Sequence, residues 1–196
     1  MDTPTLHYYN TNAVQFIQNT ITADMDRTRL RFLNYIPPHG CILDFGCGSG
    51  RDTRFFAEAG CRVSAIDGSE ELCRRASQYT GITVRHMYFQ ELCDEKTYDG
   101  IWACASVLHL KWEELQNVLE RMARALKEDG IAYLSFKYGE YEGMRNGRYF
   151  LDMTELRWQN MMDSAAVFSQ EELWLSSDAR PGREDEKWLN IIVRKK

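Results

Sequence analysis

The sequence predicts a doubly wound α/β fold: a mostly parallel seven-stranded sheet, helices on both faces and an antiparallel last strand. Three observations carry this. Short apolar runs alternate with helical stretches from residue 41 to residue 137, the pattern of strand–helix–strand units. Right-handed crossovers place the helices of such units over the faces of a single sheet. Two more strand-like runs, around 167–177 and 187–195, close the chain. With 196 residues there is material for one domain with a full core. We expect a single domain over 1–196, with 1–38 as a helical N-terminal segment or lid and 39–196 as the ligand-binding core.

Taken in order, the first forty residues read as helical. In "MDRTRLRFLNYI" the residues Met25, Leu30, Leu33 and Ile36 are spaced for one helix face, and "PPHG" stops it. "CILDF" reads as a buried strand. "RDTRFFAEAG" is a short helix ended by Gly60, and "CRVSAID" a second strand. In "SEELCRRASQY", Ser69 is placed to cap a helix that has Glu70 and Glu71 in its first turn. "ITVRHM" and "YDGIWACAS" are the third and fourth strands. The helix in "KWEELQNVLERMARALKEDG" carries Trp112, Leu115, Val118, Leu119, Met122, Ala125 and Leu126 on one face, with Gly130 expected to cap it. "IAYLSFK" is the fifth strand. A glycine-rich loop, "YGEYEGMRNGRYF", leads to a helix in "TELRWQNMM" and then to the last two strands.

Composition narrows the class. The net charge of −5 disfavours a partner such as nucleic acid or an anionic membrane. There is no basic, then apolar, leader and no run long enough to span a bilayer, so we expect a cytoplasmic protein. Six cysteines, none in a CxxC pair, read as reduced core residues, and no metal site is expected.

The chemistry concentrates in "LDFGCGSGRD". Gly46, Gly48 and Gly50 follow the first strand and open the first sheet helix. Glycine permits a sharp turn and a close ligand approach. Asp67 ends the second strand, placed to accept hydrogen bonds from a ribose diol. A dinucleotide loop expects G-x-G-x-x-G, whereas here the spacing is G-x-G-x-G, and Arg51 stands where the third glycine would be. Asp44, directly before the turn, is poor company for a pyrophosphate and suits a cationic group. Both departures favour S-adenosylmethionine over a nicotinamide dinucleotide.

These stretches resemble the motifs of class I S-adenosylmethionine-dependent methyltransferases, a Rossmann-like family. "LDFGCGSG" resembles its first motif, "VSAIDGS" its second, "YDGIWACASVLHL" its fourth-strand motif, and "LKEDGIAYLSFK" the approach to strand five. "YYN", "GSGRD", "SFKYGE" and "EKWLNIIVRK" are similar to small-molecule members of the tellurite-resistance-like and ubiquinone-biosynthesis-like groups. The resemblance implies that Asp44, Phe45 and the backbone of Gly46, Cys47, Gly48 and Gly50 hold the methionine end, with Arg51 near its carboxylate. It implies that Asp67 binds the ribose, with Gly68 and Ser69 beside the adenine. Phe89, Gln90 and Glu91 would lie at the adenine, and Ala103 would approach through its backbone. An acid common in the family near position 88 is missing, so adenine recognition would rest on main chain near Phe89 and Gln90.

The expected reaction is in-line methyl transfer to a small-molecule acceptor, leaving S-adenosylhomocysteine. The catalytic candidates are His109, as an imidazole titrating near neutrality, and Tyr9, which with Tyr8 would fold over the cofactor. Lys137, Tyr138 and Arg148 flank the loop after strand five and would suit an anionic acceptor. Trp158, Trp174 and Trp188 read as packing residues, and "RPGREDEK" as a turn. A monomer or weak homodimer is expected. The alternatives are a protein or RNA methyltransferase, which would want a basic or aromatic groove, and a scaffold that binds the cofactor without turning it over.

Overall fold

The structure is a computed structural model and describes residues 3–196. Its elements run α1 (Thr3–Thr11), α2 (Ala13–Thr20), α3 (Asp26–Leu33), β1 (Cys41–Phe45), α4 (Arg51–Glu58), β2 (Arg62–Asp67), α5 (Glu70–Thr80), β3 (Val84–His86) and β4 (Tyr98–Ala103). Then follow α6 (Trp112–Ala125), β5 (Leu126–Lys137), β6 (Glu142–Arg145), β7 (Arg148–Leu151), α7 (Glu155–Ala165), β8 (Phe168–Ser177) and β9 (Lys187–Lys195). Seven strands form one sheet in the order β3-β2-β1-β4-β5-β9-β8, with β6 and β7 as a separate ribbon. The strands from β3 to β5 pair in parallel, and β9 runs antiparallel to both β5 and β8. This is the fold the alternation predicts. Among the described residues no helix is long and apolar enough to cross a membrane.

Alternating side chains split the core into two layers. Ile42, Trp102, Tyr133 and Ile192 point to one face, where they meet Phe32 and Phe56. Their strand neighbours Leu43, Ile101, Leu134 and Ile191 point to the other, against Leu115, Leu119 and Met122 of α6 and Trp158 of α7. Trp102 stacks on Tyr133 with ring centres 4.0 Å apart, and the Tyr133 hydroxyl donates to Asn190 Oδ1 at 2.7 Å. Truncating a wholly buried ring such as Trp102 costs about 3–5 kcal/mol.

Three local expectations are corrected. Spacing put Leu30 on the inner face of α3, yet Leu30 is 55% exposed and Arg29 and Phe32 turn inward. The cause is electrostatic: Arg29 reaches Asp52 at 3.3 Å and lies 4.2 Å over the Phe55 ring. Leu33 and Ile36 do pack, partly buried, against the inner cluster.

The second correction concerns α6, which ends at Ala125 rather than at Gly130. The N–H groups of Lys96 and Thr97 donate to the carbonyls of Arg124 and Ala125, and Leu126 turns extended to pair with Tyr98. Gly130 lies inside β5.

The third is the glycine-rich loop, which contains the β6–β7 hairpin. Asn146 and Gly147 have φ of 51° and 77°. Two successive positive φ values make the tight turn that Asn-Gly favours.

Candidate active site

The glycine loop crosses the carboxyl end of the sheet. The N–H groups of Gly46 and Cys47 both donate to the Ile66 carbonyl, at 3.0 and 2.9 Å, so the loop is pinned to the end of β2. Gly46 has φ of 87°, and a Cβ there would fall 2.5 Å from Ser106 Cβ. Ser106 is fixed in turn, its hydroxyl donating to the Phe45 carbonyl at 2.6 Å. Glycine is thus required at position 46 for both backbone angle and space. A Cβ on Gly48 would meet the Phe16 ring of α2 at 3.0 Å, which makes the helical N-terminal segment the roof of the loop.

Two buried acids behind the loop differ in state. Burial works to raise the Asp52 carboxyl, but it accepts from Arg51 at 2.8 Å through both oxygens, from Arg29 and from the Trp102 indole. Those partners outweigh burial and hold Asp52 below the usual carboxylate range. Among the described residues Asp44 accepts only from the Thr53 hydroxyl, at 2.5 Å. Burial, with the nearby Asp52 charge, pushes Asp44 well up. A buried carboxylate with one neutral donor is satisfied best by a cation, so the donor set fits the ammonium- or sulfonium-bearing ligand expected from sequence.

Asp67 accepts from the N–H of Gly48 at 2.9 Å and of Ser69 at 2.8 Å. Burial raises its carboxyl, and these two donors oppose the rise. It therefore ties the loop to β2 and still faces the cavity. Ser69 caps α5, accepting from the Leu72 N–H at 3.2 Å. Its hydroxyl donates to Asn10 Oδ1 at 2.7 Å, which fastens α1 to the head of α5.

The opposite wall brings distant residues together. His109 Nδ1 lies 2.6 Å from the Tyr149 carbonyl, and Nε2 lies 2.7 Å from the Tyr9 hydroxyl. A carbonyl can only accept, so Nδ1 carries the proton and Tyr9 donates to Nε2. Burial lowers the imidazole to about 4, against the pull of the Tyr149 carbonyl. His109 is therefore neutral at physiological pH and a weaker base than a histidine titrating near neutrality. Burial raises the Tyr9 phenol, and Arg148 opposes the rise. Tyr9 also packs edge-on to Phe16, and the Tyr149 N–H donates to Thr5 Oγ1 at 2.9 Å, which seats α1 on β7.

Of the residues expected from sequence, Tyr9, Asp44, Gly46, Cys47, Gly48, Arg51, Asp67, Gly68, Phe89 and His109 line one cavity. Phe45 and Ala103 are buried in the core, with Phe45 packed 4.6 Å from Phe89. Gly50 precedes α4 with φ of 79°. Glu91 accepts from the Tyr88 N–H at 2.7 Å, and Gln90 Oε1 is buried without a partner. Sequence reading did not single out Thr5, Asn10 or Phe16. It read "RPGREDEK" as a turn only, yet Arg180 and Arg183 stand on the cavity wall, as does Trp188. The "YYN" stretch was the available signal for Asn10.

Known proteins agree with this architecture. Residues 42–130 match the family described as "Methyltransferase domain". An uncharacterized methyltransferase of Staphylococcus carnosus (strain TM300) is 26% identical over 119 residues, covering 57% of this chain and 58% of that protein. The cypemycin N-terminal methyltransferase of a Streptomyces species is 30% identical over 98 residues, covering 47% of this chain and 40% of that one. The chain thus spans about half the length of the curated relatives it matches. Among solved structures, the 1,6-didemethyltoxoflavin-N1-methyltransferase of Burkholderia thailandensis superposes with a TM-score of 0.77 at 23% identity, covering 97% of this chain and 84% of that one. By its matched segment, its strand order and its glycine loop, the chain is similar to the class I S-adenosylmethionine-dependent methyltransferases.

Proposed function

We propose that the chain transfers a methyl group from S-adenosylmethionine to a small-molecule acceptor, leaving S-adenosylhomocysteine. The observation that carries this is a shared cavity: the glycine loop, Asp44 and Asp67 line the same space as the Tyr9–His109 pair. When bound, the cofactor supplies a sulfonium methyl open to in-line displacement. Asp44 would take the cationic methionine end. Asp67 would offer the ribose the lone pairs not spent on Gly48 and Ser69, and Phe89 an apolar wall to the adenine. Arg51 braces the loop through Asp52 and through the Thr20 carbonyl at 3.2 Å.

Tyr9 and His109 form a proton path. As the Tyr9 proton passes to His109 Nε2, the Tyr9 oxygen can accept one from an acceptor N–H or O–H. His109 is a weak base, so the larger share of catalysis falls to positioning, which supplies about 7–11 kcal/mol in well-oriented reactions. A small acceptor is supported by the Burkholderia structure, whose crystal holds 1,6-didemethyltoxoflavin and S-adenosylhomocysteine. The same reading makes residues 1–38 a lid over a 39–196 core, in a cytoplasmic monomer or weak homodimer.

Thermal unfolding tests the reading. S-adenosylhomocysteine is expected to raise the Tm and NAD to leave it unchanged, and the reverse would overturn the assignment. Asp67→Ala should weaken S-adenosylhomocysteine binding by about 1.5–3 kcal/mol, the scale of hydrogen bonds to a charged group. Unchanged affinity would remove Asp67 from the ribose.

A further inference from the structure

Resting on the methyltransferase reading, we propose that the acceptor is an anionic small molecule whose carboxylate or phosphate group binds Arg148, with Arg180 and Lys137 nearby. The two ends of the cavity are balanced differently. At the glycine loop, Asp44, Asp52 and Asp67 stand against Arg29 and Arg51. On the far wall stand Lys137, Arg148, Arg180 and Arg183. Only two carboxylates serve these four cations among the described residues. Asp178 takes Arg180 at 2.5 Å, and Glu186 takes both Lys137 and Arg183.

Arg148 is the cation left over. Among the described residues it has no carboxylate partner, and its Nε is buried without a hydrogen bond. Its one polar contact is long, from Nη1 to the Tyr9 hydroxyl at 3.5 Å. The guanidinium carbon lies 4.4 Å from the Tyr8 ring centre and 5.1 Å from that of Phe150. Aromatic faces hold a guanidinium in place but do not satisfy its N–H groups. A carboxylate or phosphate does, through paired charge-assisted bonds. Leu6, Phe16, Leu108 and Phe150 line the same cavity and suit an apolar body. Because Arg148 also touches Tyr9, an anion held there sits beside the proton path.

The test uses the full chain saturated with S-adenosylhomocysteine, titrated calorimetrically with phenylacetate, phenyl phosphate and phenylacetamide. One or both anions are expected to bind at least about tenfold more tightly than the amide, the scale of a charge-assisted hydrogen bond, and which one does so separates carboxylate from phosphate. R148M should abolish that preference and R148K should keep part of it, with S-adenosylhomocysteine affinity unchanged in both. The inference is overturned if the amide binds as well as the anions, if no probe binds, or if the preference survives R148M. Should R148M fail to fold, R148K and the amide comparison decide. If the wild-type chain does not bind S-adenosylhomocysteine, the methyltransferase reading itself fails, and that outcome is separate.

Discussion

The two ends of the cavity are assembled in different ways. The glycine-loop end is local: the loop and its acids lie between Asp44 and Ser69, and its longest hydrogen bond there, from the Gly46 N–H to the Ile66 carbonyl, spans 20 residues. The end proposed to take the acceptor is gathered from across the chain. Tyr9 meets His109 over 100 residues, Arg148 meets Tyr9 over 139, and Thr5 meets Tyr149 over 144. The first end rests on the parallel strands. The second rests on α1, the β6–β7 ribbon and the turn between β8 and β9, which can vary while the sheet stays the same. A shared cofactor with many acceptors is what such a division permits.

Mutations can break this comparison. The largest effect is expected at the cofactor end from Gly46→Ala. Left-handed strain and the clash with Ser106 should together cost about 2–5 kcal/mol of stability and erode S-adenosylhomocysteine binding, read by denaturant melts and calorimetry. A neutral result would mean that the loop is softer than its hydrogen bonds imply.

Next comes the pH response of the acceptor end. His109 falls from an ordinary 6.5 to about 4 on folding. The unfolded chain therefore takes up this proton first as pH drops. The neutral, buried imidazole contributes fully above pH 6.5, and its contribution is lost as pH falls toward 4. The span corresponds to roughly 3 kcal/mol. Comparing wild type with His109→Asn, by urea melts at pH 7 and pH 4, isolates this group from the carboxylates. Parallel pH dependence in the two proteins would contradict the burial of a neutral His109.

The smallest effect sharpens the comparison where the two ends meet. Asn10→Ala removes the tie from α1 to the α5 cap and should cost about 1 kcal/mol, the net worth of one hydrogen bond. Faster hydrogen exchange should be confined to α1 and the first turn of α5. Exchange spread evenly over the sheet would show that α1 is not a separable unit.

The same division decides what could be read from sequence. The meeting of the glycine loop, Asp44 and Asp67 at one cavity was legible because turn residues and strand ends mark it, all between residues 44 and 67. The doubly wound class of the sheet followed from alternation and handedness. Arg29 was not legible as an inward residue, because a hydrophobic pattern does not register a cation drawn in by Asp52. The end of α6 was hidden because its carbonyls are taken by Lys96 and Thr97, some thirty positions earlier. The hairpin after β5 does carry its signal in Asn146-Gly147, a pair that glycine richness alone masks. Arg148 was seen as a cation, but its isolation depends on which acids the fold gives to Arg180, Lys137 and Arg183.

The placement of Phe16 over Gly48 has a kinetic consequence. The helix pair that roofs the glycine loop also carries Tyr9, so α1 and α2 cover both ends of the cavity. On the lid reading proposed above, substrate and product would share one way in and out. Turnover should then be ordered and paced by the departure of S-adenosylhomocysteine, with loosening of α1 and α2 speeding release more than it speeds bond-making.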